Sequence, residues 1–363
     1  MTTITPLTTP LRRTTVATLT AAALTAALTA LPLAGTATAG DHRHGGSQWR
    51  GAWATSPQAP AAPFGSNWST EGFSNQTVRQ VVRVTTGGTK ARIELSNRYG
   101  TTPLRITGAT VARTDKGASV KAGSVRQLTF GKGRSLTIPA GGTAYSDGVP
   151  FTVQALESVT VTLYLAAPTG PATFHHFASA TSYRADGDHR SDRAGTAFTE
   201  TNSSWYYLSG VEVSGGQAPR RDGIVTFGDS ITDGVGAGLD ADNRYPDELA
   251  ERFAAAGKPR SVLNHGIGGN QVTNDTTWAG EKAIARFKED VLTEPNVRTV
   301  VLLEGINDFG GSLPSDFATP HPRGLRRAPH RGPPRVDPAG PRQGHQGRRL
   351  HADPGQGLLL RHP

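Results

Sequence analysis

The sequence predicts two architectures in one chain: an all-β sandwich or jelly roll, followed by an incomplete α/β domain with a parallel sheet. Three observations support this prediction. Residues 48–215 are rich in Thr, Val, Gly and Ser and contain runs of alternating polarity. From residue 222 apolar strands alternate with amphipathic helices, and beyond residue 320 both patterns stop. A chain of 363 residues is long enough for two domains.

Three runs in the β-rich region predict strands, at residues 78–84, 91–95 and 159–165. The last two alternate strictly and the first does so in part, as expected of strands with one solvated face. Glycine-rich turns separate them, which favours a sandwich or jelly roll.

The α/β region, residues 222–318, reads as strand, helix, strand, helix, strand. Strands are predicted at residues 223–227, 261–264 and 299–303, and the helices between them at 245–256 and 281–291. Such units form a parallel sheet covered on both faces, whose active sites gather at the carboxyl ends of the strands.

The first 39 residues have the features of a signal peptide. Arg12 and Arg13 precede an apolar run over residues 16–33, and small residues at 37–39 offer a cleavage site before Gly40. We therefore expect a secreted protein, with the Sec and twin-arginine export routes both open. A membrane anchor is the alternative, which the weakly apolar, Ala/Thr-rich run disfavours. A polar spacer, residues 40–47, follows.

The final segment, residues 320–363, is basic and poor in core-forming residues. It contains nine Arg, nine Pro and seven Gly, and neither Ile nor any aromatic residue. We expect it to be disordered, since it has little apolar surface to bury. It is either a natural tail or the product of a reading-frame shift, which the abrupt change in mid-domain favours. Most of the chain's net charge of +9 lies here, without the interleaved aromatics of a nucleic-acid surface, so no nucleic-acid partner is predicted.

A candidate nucleophile follows the first α/β strand. Residues 228–234 read Gly-Asp-Ser-Ile-Thr-Asp-Gly. A serine at such a strand-to-helix turn, here Ser230, exposes its hydroxyl at the edge of the sheet. Gly228 allows a tight turn, and the Asp229 side chain can hold that turn by a local hydrogen bond.

Two further motifs follow the next two strands. Residues 264–270 read Asn-His-Gly-Ile-Gly-Gly-Asn, and residues 305–308 read Gly-Ile-Asn-Asp. Glycine lets a backbone N–H approach an oxyanion, and the Asn307 amide is a neutral donor suited to the same task. Each motif alone is an ordinary turn, and it is their order and placement that indicate a site.

In these three motifs the chain resembles the SGNH hydrolases, the esterase and lipase family also called GDSL. The resemblance implies a flavodoxin-like α/β/α sheet, with Ser230 as nucleophile and Gly269 and Asn307 as oxyanion donors. Gly269 is preferred to Gly268 because it precedes Asn270. The β-rich segment, through residues 51–54 and 95–100, is similar to the N-terminal domain of secreted actinobacterial members.

The family's fourth motif, an Asp-x-x-His near the C-terminus, is missing. None of the aspartates from Asp308 onward has His three positions later. Asp186-x-x-His189 has the spacing but precedes the serine, so we interpret it as a loop, and we expect a structural role for His265. Because a serine hydroxyl is a poor nucleophile without a base, this chain is expected to be nearly inactive.

The predicted function is hydrolysis of carboxylic esters through an acyl-Ser230 intermediate, on a small-molecule, polysaccharide or lipid ester. No cofactor or metal is implied, and the chain has no Cys to supply thiolate ligands or a thiol nucleophile. No stable membrane insertion is expected after signal cleavage, and the oligomeric state is not predicted. The alternative is a secreted carbohydrate-binding or other binding module with a vestigial hydrolase domain.

Overall fold

The computed structural model describes residues 48–64, 67–216 and 221–309, together with the backbone of 358–361. The predicted signal peptide, the spacer and most of the tail lie outside these residues. Within the described part, no helix combines the length and hydropathy needed to cross a membrane.

The β-rich region contains fifteen strands among its described residues. They are β1 (Arg50–Ala54), β2 (Gln76–Arg83), β3 (Gly88–Ser96), β4 (Leu104–Ile106), β5 (Gly108–Arg113), β6 (Arg126–Gln127), β7 (Leu136–Ile138), β8 (Thr143–Tyr145), β9 (Val149–Val153), β10 (Ser158–Leu165), β11 (Phe174–His175), β12 (Ser182–Asp186), β13 (Glu200–Asn202), β14 (Trp205–Tyr206) and β15 (Leu208–Ser214). The three predicted strands are confirmed as β2, β3 and β10. The strands of two or three residues have too short a pattern to be predicted.

Two antiparallel sheets dominate this region. One has the order β1-β15-β3-β8, with β9 also paired to β3, and the other has the order β13-β12-β2-β10-β5-β6. Side chains of both sheets belong to one hydrophobic core, for example Ile93 and Val211 from the first sheet and Val78 and Val161 from the second. This shared core makes the β-rich region a single packed unit.

Strand β10 corrects one expectation, because neither of its faces is solvated. Val161 and Leu163 are fully buried, but so are Thr160 and Thr162 on the opposite face. The buried Arg79 covers that face: its Nε donates to Thr162 Oγ1 at 3.1 Å, and its Nη1 donates to the Ala118 carbonyl. A polar face is therefore buried under loops that satisfy its hydrogen bonds.

The α/β region follows the predicted order of elements. They are β16 (Gly223–Gly228), α1 (Ser230–Asp233), α2 (Tyr245–Ala255), β17 (Val262–Gly266), α3 (Ala283–Phe287), which continues into a π-helical turn (Lys288–Leu292), β18 (Val297–Leu303), α4 (Ile306–Phe309) and β19 (Leu358–Arg361). The predicted helix at 281–291 thus begins two residues later, at Ala283, and is α-helical only in its first half.

Strands β17 and β18 both pair with β16 in parallel, in the order β17-β16-β18. β19 adds to the outer edge of β18 in antiparallel orientation. It lies within the segment predicted to be disordered, so that prediction needs correction at these four residues. The strand includes three consecutive leucines at 358–360, the longest apolar run of the tail.

The two faces of this parallel sheet are covered differently. On one face Ile224 and Val262 pack with Ala250 of α2. On the other face Val225, Phe227 and Leu263 pack with residues of α3 and with Ala54 of β1. The β-rich region therefore completes the core of the α/β region.

Candidate active site

Ser230 is the first residue of α1, immediately after β16. A Cβ on Gly228 would lie 2.1 Å from Thr232 Oγ1 and 2.3 Å from the Leu303 carbonyl oxygen, so only glycine fits there. The Asp229 carboxylate accepts the Ile231 N–H at 3.0 Å and caps the helix, as predicted. Ser230 is half-buried. Its N–H lies at a helix N-terminus, where the first amides have no intrahelical partner.

The loop after β17 is fastened to α1. Asn264 donates its side-chain amide to the Thr232 carbonyl at 2.9 Å, and the Gly268 N–H donates to Asp233 Oδ2 at 2.6 Å. A Cβ on Gly266 would lie 2.1 Å from the Asp233 nitrogen, so the two backbones are in direct contact. The serine turn and the glycine loop therefore form one packed unit.

The loop after β18 is fastened to the glycine loop. The Asn307 amide donates to the Asn270 carbonyl at 2.8 Å, directly after Gly269. The Asp308 carboxylate accepts the N–H groups of Val272 at 2.8 Å and Thr273 at 3.2 Å. One hydrogen of the Asn307 amide is thus used for positioning, and the second remains to be donated elsewhere.

Strand register explains why the three motifs meet. Gly228 at the end of β16 stands beside Gly266 of β17 and Leu303 of β18. The structure thereby brings the loops that carry Ser230, Gly269 and Asn307 to one edge of the sheet. In an open sheet of this order, the switch point between β16 and β18 is where ligands bind.

Arg286, on α3, connects all three loops, and the sequence analysis missed it. Its guanidinium donates to the Gly228 carbonyl at 2.9 Å, the His265 carbonyl at 2.8 Å and Asn270 Oδ1 at 2.9 Å. It is 2% exposed and stacks over the Phe227 ring at 4.0 Å. This buried cation holds the Gly228 carbonyl, two residues before Ser230, and the side chain of Asn270, the residue after Gly269.

Two carboxylates balance the Arg286 charge. Asp290 Oδ2 lies 2.9 Å from Arg286 Nη1, and Glu304 Oε1 lies 3.2 Å from Nη2. Burial raises the pKa of Glu304 to about 7, although the neighbouring Arg286 opposes this shift. Glu304 directly precedes the Gly-Ile-Asn-Asp motif, so a titratable group supports the third loop.

A Ser–His–Glu arrangement occurs at a second place, but it is structural. Ser56 Oγ lies 3.1 Å from His265 Nδ1, and His265 Nε2 lies 3.0 Å from Glu294 Oε1. Ser56 is fully buried, and its hydroxyl donates to Asp290 at 2.7 Å. No substrate can reach this hydroxyl, and both ring nitrogens of His265 are engaged, which agrees with the structural role expected for His265.

His175 joins the β-rich region to the serine motif. Its Nδ1 donates to the Ser56 carbonyl at 3.0 Å, and its Nε2 lies 3.0 Å from Asp233 Oδ1. Asp233, the second aspartate of the serine motif, also holds the glycine loop. No local sequence pattern indicates this contact, because His175 and Asp233 lie 58 positions apart.

The Asp186-x-x-His189 pattern does not form a pair. His189 Nδ1 lies 2.8 Å from Asp192 Oδ2 instead, in a loop beyond β12, whereas Asp186, which we expected in that loop, is the last residue of β12. Among the described residues, no group of three or more His, Asp or Glu side chains is arranged to hold a metal ion.

Comparison with known families agrees with this geometry. Residues 226–346 match the GDSL-like Lipase/Acylhydrolase family. The GDSL-like segment includes Ser230, Gly269 and Asn307, and the match supports a hydrolase of the general esterase or lipase type. It also extends past residue 320, into the predicted tail. No curated protein matches the chain significantly.

Proposed function

We propose that the protein is a secreted serine esterase or lipase whose nucleophile is Ser230. The observation that carries the proposal is the meeting of three loops at one edge of a parallel sheet, joined by the Asn307–Asn270 hydrogen bond and by Arg286. The strand order of the sheet supports the flavodoxin-like architecture that goes with this function. The two antiparallel sheets around one core support the sandwich or jelly roll.

In the proposed reaction, the Ser230 hydroxyl attacks the carbonyl carbon of an ester, and the alcohol leaves. The negative charge on the carbonyl oxygen is stabilised by the N–H groups of Ser230 and Gly269 and by the Asn307 amide. Water then attacks the acyl-enzyme and releases the acid. Gly269 suits this role because its φ of +78° turns the backbone in a way other residues rarely adopt.

Proton transfer is the weak step of this chain. The chain has no Asp-x-x-His after Asn307, and the buried His175 and His265 already use both ring nitrogens. Loss of the base and its orienting partner lowers hydrolysis by several orders of magnitude, since the hydroxyl keeps its proton. The chain is therefore expected to bind esters but to hydrolyse them very slowly.

The test compares two forms of the protein in hydrolysis of p-nitrophenyl acetate. Residues 40–363 should hydrolyse it at least roughly a thousandfold more slowly than a form translated from a gene whose frame after codon 320 is restored. In the restored form, Ser230→Ala should abolish turnover, and Ser74→Ala, at an exposed serine of the β-rich region, should not. A restored form with no activity dependent on Ser230 would refute the proposal.

A further inference from the structure

Four aromatic rings lie together beside the glycine loop, and we call them the aromatic wall: Phe64, His176, Phe177 and Trp278. Phe64 is at the centre, with ring centroids 5.1 Å from Trp278, 5.6 Å from Phe177 and 5.6 Å from His176. His176 and Phe177 stack at 4.3 Å. The rings meet at angles from 10° to 85°, so they do not form one flat face.

The aromatic wall touches the proposed oxyanion loop directly. A Cβ on Gly268 would lie 2.5 Å from the Phe177 ring and 3.3 Å from Val235, and a Cβ on Gly269 would lie 2.2 Å from the Trp278 ring. The Val235 N–H donates to the Ser230 carbonyl at 3.0 Å. The rings therefore pack against the glycine loop, and Val235, whose backbone is bonded to that of Ser230, lies beside the same loop.

Part of this apolar cluster is open to solvent. Phe64 and Val235 are about half exposed, at 47% and 50%. Burial lowers the pKa of His176 to about 4, so its ring is neutral at physiological pH. Exposed apolar side chains that gather at one place mark a binding site more often than an ordinary surface.

The Gln58 side chain next to the rings is already occupied at both ends, and His176 Nδ1 is buried, with no hydrogen-bond partner among the described residues. Gln58 donates its amide to the Trp278 carbonyl at 2.9 Å, and its Oε1 accepts the His176 N–H at 2.9 Å. A sugar ring would need such groups free to bind its hydroxyls, whereas an alkyl chain needs only apolar contact.

We propose that the aromatic wall binds the acyl chain of the ester, and that this chain is several carbons longer than acetyl. Three of its four rings come from the β-rich region, which thus supplies one side of the substrate site. The proposal rests on the proposed function, because it takes the Gly269 loop as the place where the carbonyl group sits.

The test measures binding, so it does not depend on turnover. Sodium octanoate and sodium acetate, the product acids of long and short acyl esters, are titrated calorimetrically into residues 40–363. Each buried methylene should tighten binding about fourfold, so octanoate should bind at least about tenfold more tightly than acetate. Ser230→Ala should keep this preference, since no bond to serine forms.

Two substitutions locate the site. Phe177→Ala and Phe64→Ala should each reduce the preference for octanoate severalfold. If Phe177→Ala does not fold, the result for Phe64→Ala is the test, because Phe64 is half exposed and its loss should not prevent folding. Leu292→Ala, at an exposed residue of the π-helical turn, should leave it unchanged. Equal binding of the two acids, or a preference that survives both wall substitutions, would overturn the proposal. Failure of hydrolysis in the restored form, with the octanoate preference intact, would instead count against the proposed function alone.

Discussion

Arg286 shows how one side chain can organise a site that it does not enter. Its five N–H donors face backbone carbonyls of β16 and β17, one amide oxygen, one hydroxyl and two carboxylates. A lysine has three donors on a single atom and cannot reach partners spread across a plane. The planar fork of arginine is therefore what this position requires.

Replacing Arg286 by methionine should lower the free energy of unfolding by about 3–5 kcal/mol, because Asp290 and Glu304 would remain buried without their cation. Urea denaturation of residues 40–363 measures this loss. Arg252→Met, at an exposed position of α2, should change stability by less than about 0.5 kcal/mol. Equal losses in the two variants would show that the buried network contributes nothing.

Glu304 makes stability depend on pH. Its pKa is raised from 4.5 to about 7, so the folded protein holds this proton more tightly than the unfolded chain does. The resulting stabilisation is full below pH 4.5 and is lost as the pH rises to about 7. Glu304→Gln should remove this contribution to the fall in the free energy of unfolding with pH, which is on the order of 2 kcal/mol.

Urea denaturation at a series of pH values between 4 and 8 checks this prediction. Glu94, whose pKa burial raises to about 8, gives a slope of the same sign and remains in both proteins. The comparison therefore concerns the difference between the parent and Glu304→Gln. If the free energy of unfolding varied with pH identically in the two proteins, the raised pKa of Glu304 would be contradicted.

At the scale of elements, strands and helices with a clear period could be predicted, and contacts between distant elements could not. Strands β16, β17 and β18 appear where short apolar runs precede a glycine-containing motif, so the edge that carries Ser230 and Asn307 was predictable. Arg286 was not, because its partner Ser56 lies 230 positions away in the other region. A charged residue in an amphipathic helix gives the same sequence signal whether it is exposed or buried.

The glycine loop permits a matched test of close packing. Gly269 and Gly141 have nearly the same φ, +78° and +75°, but a Cβ at Gly269 would meet Trp278 at 2.2 Å and one at Gly141 would meet nothing within 4 Å. Alanine at both sites carries the same backbone strain, so the difference isolates the clash. Gly269→Ala should cost about 1–3 kcal/mol more than Gly141→Ala in thermal or urea unfolding. Equal costs would show that Trp278 moves aside freely.

At the scale of the whole molecule, the two regions share their interior. Ala54 of β1 belongs to the core of the parallel sheet, Ser56 bonds to Arg286 and Asp290, and His175 bonds to Asp233. Neither the core of the α/β region nor its buried charges are complete without the β-rich region. The regions are distinct in architecture but joined in packing.

We therefore expect one cooperative unfolding transition. Tryptophan fluorescence reports mainly on the β-rich region, where Trp53, Trp68 and Trp205 are buried, and hydrogen exchange of the amides in β16 reports on the α/β region. Both should give the same midpoint in urea. Ser56→Ala should lower both midpoints together and reduce the free energy of unfolding by about 1–3 kcal/mol. Ser74→Ala should lower neither midpoint. Separate midpoints would show that the regions unfold independently.

Strand β19 has a consequence for how this sheet could grow. A strand has one row of backbone donors and acceptors on each side, and β19 occupies the outer row of β18 from Thr299 to Leu302. Any further strand, such as one from another molecule, has to displace these residues before it can pair with β18. Leu358–Arg361 thus protects the outer edge of β18 from pairing with another chain, and it also excludes any strand that would enlarge the sheet on this side.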